Sequence, residues 1–183
     1  NASGMFIANA TNSTAAGLIA GPFGINGSIT IKLPDQNNIM WNVKCNDSSG
    51  NYAFNSTYNY TITVDTIYPK VGLDAPNGTW DNDGEVAFTF LPTDTNLHTC
   101  ILWHNSSGVF AINNTNSTAT GLRSGLNNSI VSKLSDSNNI IWNIWCNDSA
   151  GWVVFNSTYN YSIKVDTTLP TAFNLSQPIN NTV

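Results

Sequence analysis

The chain repeats itself with a period of about 100 residues. Segments 26–69 and 127–170 are displaced by 101 positions and share 28 identities in 44 positions. Further upstream, NASGMF at 1–6 matches NSSGVF at 105–110. This period is too long for a solenoid repeat and corresponds to one domain per repeat. The sequence therefore predicts tandem copies of one small domain.

The repeat boundaries do not coincide with the chain. Residues 70–170 hold one complete copy, and residues 1–69 hold the C-terminal part of another, without its opening strands. Residues 171–183 resemble the first strand of a further copy. We therefore expect a window cut from a longer polymer of such repeats.

Short alternating runs of apolar and polar residues dominate, and helical periodicity is absent. Trp41, Val43 and Cys45 share one parity, whereas Lys44 has the other and is replaced by Trp145 in the second copy. The variable parity indicates the outward face. Similar runs cover residues 29–33, 58–64, 86–90 and 100–103. About seven short strands per repeat, each with one apolar face, predict an all-β fold of two packed sheets, a β-sandwich.

Asparagine is unusually abundant and sits in one sequence context. The chain has 29 Asn, and 17 of them begin an Asn-x-Ser/Thr triplet, the acceptor sequence for N-linked sugar. The predicted acceptors are Asn1, Asn9, Asn12, Asn26, Asn46, Asn55, Asn59, Asn77, Asn105, Asn113, Asn116, Asn127, Asn147, Asn156, Asn160, Asn174 and Asn180. The alternative is that Asn, Ser and Thr form turns and produce such triplets in any loop-rich chain. Recurrence at matched repeat positions favours glycosylation.

The triplets also follow the strand parity. Asn46, Asn55 and Asn59 fall on the outward face, and so do their counterparts in the second copy, Asn147, Asn156 and Asn160. Sugar requires a water-facing acceptor, so this agreement supports the glycan interpretation.

The three cysteines fit one disulfide per repeat. Cys45 and Cys146 occupy equivalent positions, and Cys100 precedes Cys146 within the complete copy. We therefore predict a Cys100–Cys146 disulfide, with Cys45 bonded to a partner outside this chain. Two buried reduced thiols are the alternative, but paired cysteines in an exported domain favour the bond. No CxxC motif or histidine cluster suggests a metal site.

Charge argues against two classes of partner. Only 9% of residues are charged and the net charge is −5, so nucleic acid and membrane contact are not expected for this segment. The composition suits an exported, sugar-coated protein.

At this point the residues resemble a known family. Trp142, Cys146, Asp148 and Gly151 give W-x-[VI]-x-C-x-D-x-x-G, and residues 165–170 end a strand in V-D-T-x-x-P. This pattern resembles the tandem immunoglobulin-like repeats of bacterial and archaeal cell-surface proteins. The resemblance implies immunoglobulin-like β-sandwiches in which the two cysteine-bearing strands are neighbours. Dense plain Asn-x-Ser/Thr triplets are more similar to the archaeal members.

The resemblance also raises calcium, which some such repeats hold near domain junctions. The candidate ligands would be Asp47, Asp65, Asp74, Asp148 and Asp166. Calcium requires six to eight oxygens, and each junction offers few acids. We expect no resident cofactor other than N-linked glycans, with Ca²⁺ as the alternative. The run at 81–85 lacks the first and last ligands of a calcium loop and predicts a turn between strands.

Catalytic chemistry finds little support in the sequence. His98 and His104 are the only histidines, and Glu85 is the only Glu, so no catalytic constellation can be nominated and we expect no enzyme. Lys32 and Lys133 have outward parity, which disfavours an internal Lys–Asn isopeptide bond. In the second copy, outward tryptophans at 145 and 152 would suit either sugar stacking or contact between repeats.

Together these features predict a structural extracellular protein at the cell surface. The expected object is a filament or stalk of N-glycosylated immunoglobulin-like repeats whose partners are neighbouring repeats of the same polymer. An adhesin, whose repeats bind surface proteins or glycans, is the alternative. A spacer in a surface enzyme is a further alternative.

Overall fold

The structure is a computed structural model, and its regular elements are almost all strands. The described residues are 8, 10–12, 27–55, 58–156 and 159–176. The chain forms two compact units, Asn1–Ile67 (unit 1) and Tyr68–Val183 (unit 2). Within the described ranges, the only helical element is a single 3-10 turn at Thr118–Thr120. The expected all-β fold is confirmed.

Unit 1 contains four short strands among its described residues. They are β1 (Gln36–Trp41), β2 (Lys44–Asn46), β3 (Tyr52–Phe54) and β4 (Tyr60–Val64). β1 pairs antiparallel with β4, and β2 pairs antiparallel with β3.

Among its described residues unit 2 contains nine strands where about seven were expected, because β6 and β12 are extra pieces of three residues each. The strands are β5 (Lys70–Ala75), β6 (Thr79–Asp81), β7 (Glu85–Thr93), β8 (Leu97–His104), β9 (Ala111–Ser117), β10 (Asn128–Lys133), β11 (Ser137–Asp148), β12 (Val153–Phe155) and β13 (Tyr161–Val165).

These nine strands form two sheets. The smaller sheet has the order β10-β7-β5, and the larger has the order β6-β13-β11-β8-β9, with β12 also paired to β11. All pairs are antiparallel except β13 with β6. The central pair of the larger sheet, β11 and β8, places Cys146 directly opposite Cys100.

The inward side chains of both sheets form one hydrophobic core. Phe88 and Phe90 of β7 and Trp142 of β11 are completely buried, and the rings of Phe88 and Trp142 lie 5.0 Å apart. The indole Nε1 of Trp142 donates to the backbone oxygen of Pro76 at 2.9 Å, so the buried N–H is satisfied. Alternation along the strands therefore produces the core as predicted for this unit.

The loop between β6 and β7 is a tight turn, as its sequence predicts. The side-chain Oδ1 of Asp81 accepts from the backbone nitrogens of Asp83 and Gly84. Gly84 has φ +76°, and a Cβ built there would lie 2.7 Å from the backbone oxygen of Leu134. Only glycine fits this combination of backbone conformation and close approach.

The strand registers of unit 1 recur in unit 2 after a shift of 101 residues. Trp41 pairs with Tyr60 in β1–β4, as Trp142 pairs with Tyr161 in β11–β13. Both ladders carry a register shift at the same place, between Gln36 and Ile39 and between Ser137 and Ile140. Similar sequences thus produce similar local pairing in the two units.

Two expectations for unit 1 are wrong. Residues 29–33, whose alternation predicted a strand, are outside regular structure. In unit 2 the matched strand β10 pairs with β7, and the described part of unit 1 has no counterpart of β7 to supply that ladder. The apolar parity of β1, β2 and β4 was expected to be buried, but Trp41, Val43 and Cys45 are exposed.

Candidate glycan-acceptor sites and the disulfide

The Asn-x-Ser/Thr acceptors that the structure describes all reach solvent. Of the 17 predicted acceptors, Asn1, Asn9, Asn26 and Asn180 lie outside the described residues. None of the other thirteen is buried. Eight are exposed, namely Asn46, Asn55, Asn59, Asn77, Asn113, Asn127, Asn160 and Asn174. Five are half-buried, namely Asn12, Asn105, Asn116, Asn147 and Asn156. The surface position that glycosylation requires is therefore met at the eight exposed acceptors, whereas Oδ1 of the half-buried Asn147 is itself buried without a hydrogen-bond partner among the described residues.

A buried asparagine positions two acceptors in unit 2. The Nδ2 of Asn143 donates to the backbone oxygen of Asn156 at 3.2 Å and to Oδ1 of Asn160 at 2.7 Å. Its Oδ1 accepts from the backbone nitrogen of Ile144 at 2.7 Å. Asn143 is only 5% exposed although its strand parity predicts an outward side chain. It thereby binds the residue after β12, Asn156, and the residue before β13, Asn160, which are both acceptors.

The same arrangement recurs in unit 1. The Nδ2 of Asn42 donates to the backbone oxygen of Asn55 at 3.3 Å and to Oδ1 of Asn59 at 2.8 Å. Its Oδ1 accepts from the backbone nitrogen of Val43 at 2.7 Å. We call this arrangement, in which the amide of Asn42 or Asn143 donates to two later asparagines, the bracket. The sequence analysis missed it. Its signal was an Asn kept in both copies beside the variable Lys44 and Trp145.

The bracket determines which amide atom remains available for sugar. Because Oδ1 of Asn160 or Asn59 accepts the bond from Asn143 or Asn42, the Nδ2 of the planar amide points away from it. Within the described ranges these two Nδ2 atoms donate no hydrogen bond. N-linked sugar is attached to Nδ2, so this atom is presented in both units.

Four other acceptors use Nδ2 inside the protein. Asn12 donates to the oxygen of Ser28, Asn46 to that of Asp47, Asn105 to that of Asn139, and Asn127 to the Asp74 carboxylate. Asn105 is the most constrained of these, because it is half-buried and its Oδ1 also accepts from the backbone nitrogen of Ile141 at 2.8 Å. The structure thus distinguishes acceptors whose Nδ2 donates a hydrogen bond within the protein from Asn59 and Asn160, whose Oδ1 is bonded instead.

The cysteines lie where the repeat analysis placed them. Cys100 and Cys146 form a disulfide between the neighbouring strands β8 and β11, and both are completely buried. This pairing of adjacent strands is what the family resemblance implied. Cys45, the counterpart of Cys146, is a free and exposed cysteine.

Two of the candidate calcium ligands, Asp47 and Asp148, accept hydrogen bonds from backbone nitrogens of the turns in which they lie. Oδ1 of Asp148 accepts from the backbone nitrogens of Ala150 and Trp152, and Asp47 makes the matching bonds to Ser49 and Asn51. These bonds, led by the Asn51 side chain, lower the pKa of Asp47. Both residues cap hairpin turns, as D-x-x-G predicts.

Asp148 in unit 2 has one carboxylate oxygen without a hydrogen bond among the described residues. Oδ2 of the buried Asp148 has no hydrogen-bond partner among the described residues, and a carboxylate oxygen of Asp94 lies within 4.8 Å of Asp148. In unit 1 the corresponding oxygen of Asp47 accepts from Nδ2 of Asn51, which Trp152 replaces in unit 2. Two carboxylates fall short of the six to eight oxygens of a calcium site. Calcium binding stays an alternative prediction.

The sequence analysis also missed a set of hydrogen bonds between an aspartate and the V-D-T segment. The Oδ1 of Asp136 accepts from the backbone nitrogen and hydroxyl of Thr167, and its Oδ2 accepts from the Thr168 hydroxyl. These bonds, with the Thr167 side chain first, lower the pKa of Asp136. Asp35 holds Thr66 in the same way in unit 1. The Thr of V-D-T therefore closes the end of the strand pair.

The two histidines differ in environment. His104 is 4% exposed, packs beside the Phe88 ring, and its Nδ1 contacts the Ser106 hydroxyl at 2.9 Å. Burial lowers the pKa of His104, the nearby Asn113 side chain acts in the opposite direction, and Nε2 of the ring has no hydrogen-bond partner among the described residues. His98 is exposed, and its Nδ1 lies 2.8 Å from the hydroxyl oxygen of Thr99.

The remaining candidates are surface residues. Lys32 and Lys133 are exposed, as their parity predicts, and Glu85 is exposed as well. Trp145 and Trp152 are half-buried rather than exposed. The Trp152 ring is partly covered by the ring of Tyr68, at a centroid distance of 4.5 Å.

Comparisons with known proteins do not assign a family to this chain. No protein-family model matches it, and no curated protein matches its sequence. Among the described residues, no helix is long and apolar enough to cross a membrane.

Proposed function

We propose that this chain is a structural extracellular protein, a piece of an N-glycosylated string of immunoglobulin-like β-sandwich repeats that forms a surface filament or stalk. The partners of each repeat are its neighbours in the same polymer. The resemblance of the sequence to archaeal cell-surface repeats gives the class, and the geometry of the acceptors supports it.

The observation that carries this proposal is the repeated presentation of Asn59 and Asn160. Each lies at the same place in its unit, each is exposed, and each is oriented by a matched bracket residue, Asn42 or Asn143. Turn-forming asparagines would need no common orientation of Nδ2. A protein with few charged residues gains a hydrated surface if these acceptors carry sugar.

The disulfide supports the extracellular assignment. Disulfide bonds persist in oxidising compartments and are rare in the cytosol. The Cys100–Cys146 bond joins the two central strands of the larger sheet in unit 2. An exported domain of this size can rely on such a bond.

Mass spectrometry of glycopeptides from the native protein tests the proposal. We expect sugar on Asn55, Asn59, Asn156 and Asn160, with higher occupancy at Asn160 than at Asn105, whose amide is already committed. An Asn160→Gln variant should lose one glycan mass. Asn138→Gln is the matched control, because Asn138 is exposed and does not begin a triplet.

Unmodified asparagine at all four positions in the native protein would remove the basis of the proposal. Electron microscopy of the native surface material is the complementary measurement. Filaments or stalks decorated by antibodies against this chain are expected, and a diffuse soluble distribution would contradict the structural role.

A further inference from the structure

Among the described residues, the longest edge strand of unit 2 carries no charge. The two sheets end at β5, β10, β6 and β9, and the three-residue β12 pairs only with β11. β5 contains Lys70 and Asp74, β6 contains Asp81, and β10 contains Lys133. β9, Ala111–Ser117, has neither a charged residue nor proline in its seven residues. Unpaired edges can pair with another chain, and proteins commonly block them with charges, proline or short strands.

The outer backbone edge of β9 has no strand partner among the described residues. β9 pairs with β8 alone, in a ladder interrupted by one register shift. Residues 112–115 are exposed, and the Ile112 side chain is 57% exposed. β10 lies beside β9 but contacts it through side chains, since Nδ2 of Asn114 donates to the backbone oxygen of Val131 at 2.7 Å.

Two of the seven residues of this strand are predicted glycan acceptors. Asn113 begins the triplet Asn-Asn-Thr, and Asn116 begins Asn-Ser-Thr. None of the other edge strands contains an acceptor. In the sequence of the first copy the matched positions, displaced by 104, are the acceptors Asn9 and Asn12, and the matched segment 7–13 is also uncharged. Acceptors therefore recur in the segment that lacks charge.

Both acceptors on β9 have Oδ1 bonded within the protein. Oδ1 of Asn113 accepts from the Ser132 hydroxyl of β10 at 2.7 Å, and Oδ1 of Asn116 accepts from the Thr120 hydroxyl at 3.1 Å. Neither Nδ2 donates a hydrogen bond to a described residue. Asn116 lies opposite the buried Cys100 in the ladder, so these amides are on the inner face of β9, beside the core and β10. A sugar on either Nδ2 therefore has to leave past the free edge of the strand.

We propose that N-linked sugars on Asn113 and Asn116 prevent the free edge of β9 from pairing with β9 of a second copy of this chain. The inference rests on the proposed function, because it requires sugar at both acceptors. Paired strands lie about 4.8 Å apart, and a bulky hydrated sugar that leaves past the edge occupies that space. Without the sugars, two identical edges pair antiparallel and close a two-fold dimer.

The second copy is the occupant that the composition of β9 favours. Antiparallel pairing centred on Asn114 would place Asn113 opposite Thr115 and Ile112 opposite Asn116. No like charges oppose each other in this arrangement, and the exposed Ile112 would lose contact with water. The same contact forms twice, because the two strands are identical.

The test compares variants of the 183-residue chain made in a host that attaches N-linked sugar. Thr115→Ala with Thr118→Ala removes both triplets of β9 and keeps the two acceptor asparagines. The matched control is Ser162→Ala with Ser176→Ala, which removes the same number of triplets outside β9. Cys45→Ala is present in every chain, so that dimers linked through this exposed thiol do not contribute.

Sedimentation and hydrogen exchange are the two readouts. We expect the chain with all its triplets and the matched control to be monomers, and the β9 variant to be a dimer at the same concentration. In that dimer the amides of residues 112–115 should exchange about tenfold more slowly, with β11 amides unchanged. A monomeric β9 variant without sugar at these acceptors would overturn the proposal. Equal dimerisation of the control, or aggregates of undefined size, would overturn it as well.

If the β9 variant loses the protection of β11, Asn113→Gln with Asn116→Gln replaces it and is judged by the same readouts. A charge on the edge should then substitute for the sugar. Ile112→Lys, added to the variant without these sugars, should restore the monomer, because a lysine on an edge strand opposes pairing. Val109→Lys is the matched control, since Val109 is 67% exposed and precedes β9. Rescue by both lysines would contradict a contact at this edge.

Glycopeptide mass spectrometry of the native protein separates this inference from the proposed function. Sugar is expected at Asn113 and Asn116. Sugar at Asn59 and Asn160 with none at Asn113 and Asn116 would overturn the inference and leave the proposed function standing. Absence of sugar from every acceptor would remove both.

Discussion

His104 is a titratable side chain placed inside the core of unit 2. It lies on the inward face of β8, beside the completely buried Phe88. Removal from water disfavours the charged imidazolium, which is why the pKa is lowered. A neutral His104 is therefore part of the folded state.

The stability of unit 2 should fall as the pH is lowered from 7 to 5. The folded pKa of His104 lies below the ordinary value of about 6.5, so in this window the unfolded chain binds more protons than the folded chain. We expect His104→Gln to flatten the dependence of the unfolding free energy on pH. Hydrogen exchange of β8 and β11 amides at pH 7 and pH 5 would measure it.

His98→Gln provides the control for this titration. His98 lies on the same strand as His104 but is exposed, so its replacement controls for the change of a histidine to glutamine on β8. If His98→Gln flattened the curve and His104→Gln did not, the assignment to the buried ring would be wrong.

Single-residue features were predicted only where parity and burial coincide. Trp142, Ile144 and Cys146 have inward parity and are completely buried, as the alternation indicates. Asn143 has outward parity and is buried as well, and its amide donates to Asn156 and Asn160. Parity describes one strand, whereas these hydrogen bonds reach residues 13 and 17 positions away.

At the scale of elements, the turn between β6 and β7 is constrained by both its backbone conformation and a close backbone neighbour. Gly84 combines φ +76° with a close approach to the Leu134 backbone oxygen. Leu134 in turn donates its backbone nitrogen to the Gly84 oxygen at 2.8 Å. The turn thereby ties the start of β7 to the end of β10.

Gly84→Ala should destabilise unit 2 more than Gly151→Ala does. Both glycines have positive φ, and Gly151 has φ +93° with no atom within 4 Å of its Cβ position. Gly151→Ala therefore costs only the backbone strain, about 1 kcal/mol. Gly84→Ala adds a clash with backbone atoms and should cost about 2 to 3 kcal/mol in total. Urea unfolding of the two variants would compare them, and equal losses would contradict the contact argument.

The sequence predicted the strands of unit 2 better than those of unit 1. The run at 29–33 alternates as clearly as the run that forms β10, yet it is outside any strand. Alternation shows that a segment can bury one face, but a strand also requires a neighbour to complete its hydrogen bonds. That neighbour is β7 in unit 2, and no periodic signal in 29–33 reports its absence.

At the scale of the whole molecule, the two units differ in how much apolar surface they bury. Fifteen hydrophobic residues form the core of unit 2, whereas Ile39 is the buried hydrophobic residue described in unit 1. The sequence analysis expects residues 1–69 to hold only the C-terminal part of a repeat, without its opening strands, and residues 70–170 to hold a complete copy. Burial of apolar surface is the main favourable contribution to folding, so matched sequences here should have unequal stability.

Hydrogen exchange across the chain should therefore separate the units. Amides of β1 and β4 should exchange faster than the matched amides of β11 and β13, since local stability follows buried contacts. Replacing both Cys100 and Cys146 by Ala should cost unit 2 about 4 kcal/mol for a loop of this length. If the slowest amides exchange through global unfolding, their protection should then fall by roughly three orders of magnitude. Cys45→Ala is the control, and it should leave unit 2 unchanged because that thiol is exposed and unbonded. Equal exchange in the two units would contradict this account, because it would mean that β1 and β4 are stabilised without the core that stabilises β11 and β13.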